Sequence, residues 1–193
     1  MSSDHTRQYA PTIDGIRPDH VARYQFASEV IPPRTFVLDL ACGCGYGSWL
    51  MEKAGLFVTG VDIEPEAIDY AHKHYKGPTY LCKEAGDVKG KWGALVSFET
   101  IEHLADPAQL FQGIEARRLI CSVPNEDLYP FSADTFKNDK YPHLRHYTPS
   151  QLEAFLESVG YAVESWHCQK DKRSPVTEGK EGMFLIAVCA LKK

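Results

Sequence analysis

The 193-residue chain has no apolar run approaching the about 20 residues that a bilayer-crossing helix needs, so no membrane partner is expected. Its first fifteen residues, MSSDHTRQYAPTIDG, lack the apolar core of a secretory signal, and a cytoplasmic location is therefore expected. There is also no dense block of lysine and arginine. The formal net charge is −5, and the short run Lys170-Asp-Lys172-Arg173 reads as a solvated loop, which argues against a nucleic-acid partner. Six cysteines are present, but Cys42-Gly-Cys44 has no second pair to complete a metal site, so neither a metal nor a disulfide framework is expected. Repeats, low-complexity tracts and linkers are missing too. One domain over residues 1–193 is the economical reading, with 44% hydrophobic residues to build its core. The pattern does not speak to oligomeric state.

What is present alternates between strand-like and helix-like segments. Val21, Tyr24, Ala27 and Ile31 keep helical spacing from Asp19 until Pro32-Pro33 ends the helix. Thr35–Ala41 reads as a buried strand, followed by Gly43-Cys-Gly45-Tyr-Gly47 and a helix from Ser48 to Ala54. A second strand covers Phe57–Asp62, and Pro65 opens a helix to about Tyr75. Strands follow at Thr79–Cys82 and Ala94–Phe98. Asp106 and Pro107 then start a helix that carries Leu110, Phe111 and Ile114 inward, ahead of a strand at Leu119–Val123. Residues 124–147 read as an irregular stretch long enough to be functional. Thr148-Pro-Ser-Gln151 has the capping-box form and opens a helix that buries Leu152, Phe155, Leu156 and Val159. Strands Ala162–His167 and Met183–Leu191 follow. This alternation predicts a parallel sheet with helices on both faces, whose ligands bind at the carboxyl ends of the strands.

Several reactive residues fall at those ends. Gly43 and Gly45 allow a tight turn and close approach of backbone to a ligand. Asp62 ends the second strand 19 residues after Gly43, where an acid can accept hydrogen bonds from both ribose hydroxyls of an adenosine cofactor. Two cofactors compete for this pattern. A dinucleotide site asks for a third glycine where Ser48 stands, and it places a pyrophosphate near Asp39, which would repel it. A sulfonium cofactor with a free ammonium group tolerates Asp39, so the residues favour S-adenosyl-L-methionine over a nicotinamide.

Val37-Leu-Asp-Leu-Ala-Cys-Gly-Cys-Gly-Tyr-Gly-Ser48 resembles motif I of the class I S-adenosylmethionine-dependent methyltransferases, and Gly60-Val-Asp-Ile-Glu64 resembles their second motif. Phe98-Glu-Thr-Ile-Glu-His-Leu104, Ser122-Val-Pro-Asn125 and His143-Leu-Arg-His-Tyr-Thr-Pro149 are similar to segments of the UbiG-like branch, in the same order. The resemblance spans about residues 20 to 190. It implies a Rossmann-like, doubly wound, mostly parallel seven-stranded sheet with the last strand antiparallel. By the same resemblance, Asp39, Ala41, Gly43 and Gly45 surround the methionine moiety and Asp62 holds the ribose. Ile63 packs on the adenine, Glu84 reaches its amino group, and Phe98 and Glu99 sit beside the methyl. Two departures are Gly93, where an aspartate commonly opens the fourth strand, and the missing proline-glycine turn before Leu119.

The acceptor side is less legible. Methyl transfer depends mainly on alignment, and a base matters when the acceptor is a protonated hydroxyl. His103, Glu99 and Glu102 are the catalytic candidates; His143, Arg145, His146 and Tyr147 are the candidates for binding substrate. Each has a plain structural alternative: capping the next helix, or holding the loop to the sheet. Tyr9 and the His20–Tyr24 segment are placed to form a lid, or simply to cover the sheet. An Asp- or Asn-Pro-Pro-aromatic motif for methylating extruded bases is absent after Phe98, as is a Pro-Cys nucleophile. A small-molecule or glycan-like acceptor, methylated on oxygen or nitrogen, is therefore expected. The competing readings are a cofactor-binding protein without transferase activity and a nicotinamide-dependent oxidoreductase.

Overall fold

Runs of apolar and β-branched residues become the sheet because successive side chains leave a strand on opposite faces and both faces here are covered. The computed structural model describes residues 8–192. Its strands are β1 (Phe36–Leu40), β2 (Phe57–Asp62), β3 (Thr79–Cys82), β4 (Gly90–Phe98), β5 (Ile114–Pro124), β6 (Tyr161–Gln169), β7 (Thr177–Glu178) and β8 (Phe184–Leu191). They lie in the order β3-β2-β1-β4-β5-β8-β6-β7. The first five run parallel, and β8 is antiparallel to both β5 and β6.

Three expectations are corrected. The sheet has eight strands, not seven, because Thr177 and Glu178 pair with Cys168 and His167 as an edge too short to leave a periodic signal. β4 and β5 begin earlier than expected, since Gly90–Trp92 pairs in parallel register with Ile114–Ala116. Ile114 is therefore a strand residue. The helix expected to carry it shrinks to a 3-10 turn, Pro107–Phe111, which Asp106 caps by accepting from the Ala108 N–H at 3.2 Å. Leu110 and Phe111 still face inward.

One face of the sheet is covered by α1 (Pro18–Val30), α2 (Tyr46–Lys53) and α3 (Pro65–His74), with Ala27, Met51, Ile68 and Ala71 packed on Val37, Val58, Ala94 and Val96. The other face has less cover. There α5 (Pro149–Ser158) and the 3-10 turns set Leu152, Leu156, Leu110 and Ile101 on Leu38, Leu95, Leu119 and Leu185. Leu152 and Leu156 are fully buried, each worth about 2 kcal/mol of transfer energy. No α-helix separates β3 from β4, and Phe36, Phe57 and Leu81 stay exposed. Among the described residues, no helix is long and apolar enough to cross a membrane.

The capping box at the head of α5 forms as its sequence predicts: the Gln151 N–H donates to Thr148 Oγ1 at 3.2 Å, and the Thr148 N–H donates to Gln151 Oε1 at 2.9 Å. Thr148→Ala should cost about 1 kcal/mol and lower the thermal midpoint by roughly 2–4 °C for a chain of this size. An unchanged midpoint in a thermal unfolding scan would mean that packing alone holds α5.

Candidate active site

The chain leaves β1 and enters α2 through left-handed backbone at Ala41 (φ 62°), Gly43 (φ 56°) and Gly45 (φ 86°). The glycines of this turn do different jobs. A Cβ on Gly43 would meet nothing within 4 Å, so its bare backbone faces open space. A Cβ on Gly45 would lie 2.5 Å from Ala71 Cβ, and one on Gly47 only 2.1 Å from the Tyr24 ring. Gly45 and Gly47 thus let α3 and α1 close over the turn, and Gly43 is the position left open.

Asp62 ties this turn to the end of β2. Its carboxylate accepts the Gly43 N–H at 2.8 Å and the Glu64 N–H at 2.9 Å, one on each oxygen. Ile63 beside it is 48% exposed, and Glu84, after β3, is exposed as well. Ala41, Gly43, Asp62, Ile63 and Glu84 therefore line the carboxyl ends of β1, β2 and β3, where ligands of such sheets bind.

Asp39 and Phe98 lie beneath that rim. Asp39 is fully buried, and its oxygens accept from Ser48 Oγ at 2.6 Å and from the Tyr24 hydroxyl at 3.3 Å. Burial pushes its carboxyl up to about 7, against the pull of those two hydroxyls. Asp39 braces the turn from below through these two hydroxyls. Phe98 packs edge-on against Tyr24 at 5.0 Å. α1 thus covers the sheet through Tyr24, while His20 sits 2.8 Å from the Tyr46 hydroxyl and Tyr9 meets Tyr70 edge-on.

Beyond β4, Glu99 stands in left-handed backbone (φ 49°), a conformation that non-glycine residues adopt at a cost. Its Oε1 lies 2.7 Å from Ser122 Oγ and 3.2 Å from Arg23 Nη1. Arg23 is 1% exposed and escaped the sequence reading. The available signal was Asp19 and Arg23 at i,i+4 spacing within an apolar helix stripe.

Glu102 and the loop histidines form a second group. Glu102 is fully buried with no hydrogen-bond partner of normal geometry on either oxygen. Burial, helped by the Glu99 charge, raises its carboxyl well above the usual range and favours the protonated form. The tautomers of the histidines follow from their partners. The Tyr129 carbonyl accepts from His146 Nδ1 at 2.6 Å, so His146 Nε2 must accept from His143 Nδ1 at 2.8 Å. His103 Nδ1 likewise donates to the Pro142 carbonyl at 3.2 Å, and its Nε2 lies 4.0 Å from Glu102. Burial lowers the pKa of both His103 and His146, which keeps them neutral. Among the described residues, Glu102, His103 and His143 bring ligand atoms within 4.8 Å of one another. A divalent cation there would require Glu102 to give up its proton.

The stretch expected to be irregular is an organised strap. The Glu126 N–H donates to the Tyr147 carbonyl and the Tyr147 N–H to the Pro124 carbonyl, zipping its two ends together. Inside, a one-turn helix, α4 (Ala133–Phe136), delivers Phe136 onto the His143 ring at 4.0 Å. Lys140 and the Tyr141 hydroxyl reach across to Glu64, beyond β2. Arg145 donates to the Ala105 carbonyl at 3.2 Å, and Tyr147 packs in the core beside Phe155. His143 and His146 thus join the histidine relay, while Arg145 and Tyr147 hold the strap to the sheet.

Asp39 gives a pH signature. Its folded carboxyl titrates near 7 and its unfolded one near 3.8, so the folded state binds the extra proton between these values. Stability should therefore fall as pH rises from about 4 to about 7, by about 1.4 kcal/mol per pH unit at most. Asp39→Asn removes this titration, and its thermal midpoint should decline less over that window than the wild-type midpoint. Parallel declines would assign the pH dependence to other groups.

A family model described as a methyltransferase domain matches residues 6–165. The chain is 33% identical over 92 residues to a ubiquinone biosynthesis O-methyltransferase of Actinobacillus pleuropneumoniae, an alignment covering 42% of this chain and 39% of that protein. The chain thus spans under half the length of that relative. In fold it is similar to the CcbJ methyltransferase of Streptomyces caelestis (TM-score 0.74, 12% identity, 97% of this chain and 95% of that one). It is also similar to the Burkholderia thailandensis 1,6-didemethyltoxoflavin-N1-methyltransferase, solved with its substrate and S-adenosylhomocysteine (TM-score 0.67, 18% identity, 89% and 79% coverage).

Proposed function

The chain belongs to the methyltransferase-domain family, and from that premise we propose that it transfers the methyl group of S-adenosyl-L-methionine to an oxygen or nitrogen of a small-molecule or glycan-like acceptor. The observation that carries this reading is the open left-handed turn at Gly43, tied to Asp62 at the carboxyl end of the sheet. Open backbone at Gly43 beside exposed Ala41 suits the methionine moiety, and the Asp62 carboxylate at the end of β2 suits the two ribose hydroxyls. Ile63 offers an apolar surface for adenine, and Glu84 an acceptor for its amino group. Ser48, bound to buried Asp39 at 2.6 Å, stands where a dinucleotide site asks for its third glycine, which disfavours a nicotinamide dinucleotide. When bound, the cofactor supplies an electrophilic methyl whose leaving group departs neutral.

The residues of this chain then align the acceptor and manage its proton. Positioning is the larger contribution to a displacement of this kind. His103 fits the role of base, because its Nδ1–H is fixed on the strap at Pro142, which directs Nε2 to serve as the acceptor nitrogen. Glu99 offers a carboxylate to the positive charge that grows on an attacking oxygen or nitrogen. His143 and His146 set the wall of the acceptor pocket, with Arg145 and Tyr147 supporting it. The Actinobacillus relative is by its name an O-methyltransferase and the Burkholderia neighbour an N1-methyltransferase, so the family fold accommodates both atoms.

Calorimetric titration with S-adenosylmethionine and S-adenosylhomocysteine, with NADH as control, tests the cofactor assignment. Micromolar binding of the first two alone is expected, and Asp62→Ala should weaken it about tenfold or more, or at least about 1.4 kcal/mol. Binding of NADH, or of nothing, would sink the reading. Screening acceptors with methyl-labelled cofactor comes next. If the acceptor is a hydroxyl, His103→Ala should slow its methylation by roughly a hundredfold or more. No acceptor turned over by a protein that binds the cofactor would favour a binding role without transfer.

A further inference from the structure

Buried Arg23 meets four polar side chains at once. Its Nε donates to Gln169 Oε1 at 2.6 Å, its Nη2 to Asp19 Oδ2 at 2.9 Å, and its Nη1 approaches Ser122 Oγ at 3.4 Å and Glu99 Oε1 at 3.2 Å. The Phe184 ring lies 4.6 Å from the guanidinium carbon. Gln169 is itself fixed, donating to the carbonyls of Asp19 and Ser174. One planar fork therefore joins α1 to the carboxyl ends of β4 and β6 and to β5 and β8. Such a fork costs little further entropy to orient, because its donors are preorganised and its surroundings closed.

The geometry points to a specific purpose for this knot. We propose that Arg23 and Ser122 are positioning residues that hold Glu99 as a fixed carboxylate facing the methyl-transfer position, an inference that rests on the methyltransferase reading above. Both contacts fall on Oε1, which leaves Oε2 as the oxygen available to a ligand. The backbone agrees: the left-handed Glu99 donates its N–H to the Ser122 carbonyl and also lies 3.2 Å from Ser122 Oγ. A relaxed glutamate at a strand end would sample several rotamers and point into solvent. Here a strained backbone, a hydroxyl and a buried guanidinium remove that freedom. The ligand chemistry served is a cationic centre: the sulfonium of the cofactor before transfer, and the acceptor heteroatom as it gains positive charge.

The test needs no acceptor. Sinefungin carries a protonated amine on the carbon that replaces the methylsulfonium, and S-adenosylhomocysteine carries no charge there. The ratio of their dissociation constants reads the carboxylate at that point, and changes affecting the whole pocket cancel in it. The wild-type protein should prefer sinefungin, and Glu99→Gln should abolish the preference. Arg23→Lys keeps the positive charge but loses the fork, and should cut the preference by about fivefold. Ser122→Ala should act in the same direction and serves as the second probe should Arg23→Lys fold poorly. In a Glu99→Gln background neither substitution should move the ratio further.

A ratio unchanged within twofold in Arg23→Lys and Ser122→Ala would overturn the proposal while leaving the cofactor assignment standing. So would an equal loss in the Glu99→Gln background, which would mark both residues as merely structural. Failure of wild-type protein to bind either ligand would overturn the cofactor assignment and this inference together.

Discussion

A tyrosine ring set against a glycine is the contact on which the site depends. Tyr24 of α1 occupies the space that a Cβ at Gly47 would fill, and its hydroxyl reaches Asp39 beneath the turn. Because α1 can approach this closely, the β1–α2 turn is roofed by a helix, and Phe98 gains an edge-on aromatic neighbour. Asp39 is buried as a consequence. Its carboxyl is pushed up to about 7, so that the brace works in part as a protonated group. Interiors packed to crystal-like density leave little latitude here, and a single methyl group at position 47 would displace the roof.

The carboxyl groups around the site differ in surroundings more than in chemistry. Asp39 and Glu102 are enclosed, and burial pushes both toward the neutral form. Asp62 and Glu99 stand where donors converge: two backbone N–H groups on the first, a guanidinium and a hydroxyl on the second. The two enclosed groups support the turn and the histidine relay. The two with donors face the positions where the ribose and the methyl group are proposed to lie. Environments that separate otherwise similar acids in this way are how one fold assigns distinct tasks to them.

The strap after β5 couples the two halves of the site. It leaves the sheet at Pro124, reaches Glu64 beyond β2 through Lys140 and Tyr141, and returns past His103 and Glu102 to Tyr147. In spatial order it crosses the ends of β4 and β1, between which the reactive groups lie. Its own aromatic cluster, with Phe136 stacked on His143, makes it a packed element that orients the imidazoles by fixed carbonyls.

Local signals in the sequence carried the strand and helix pattern well. The spans Phe57–Asp62 and Thr79–Cys82 and the Thr148 capping box are as read, because apolar runs, proline and capping chemistry act over a few neighbouring residues. The motif order was enough to bring Gly43, Asp62, Ile63 and Glu84 to one rim, since a parallel sheet puts strand ends together. The two-residue strand at Thr177 and the burial of Asp39 were not legible, because each is settled by pairing or packing that leaves no periodic trace in the sequence. The same holds for Arg23, whose partners Ser122 and Gln169 lie 99 and 146 residues away. The amino-acid sequence by itself determined the α/β alternation and the identity of the reactive residues. Only the tertiary structure decided which carboxyl is buried, which carbonyls the histidines meet and which arginine contacts Glu99, because burial and hydrogen-bond geometry are set by contacts between separate segments.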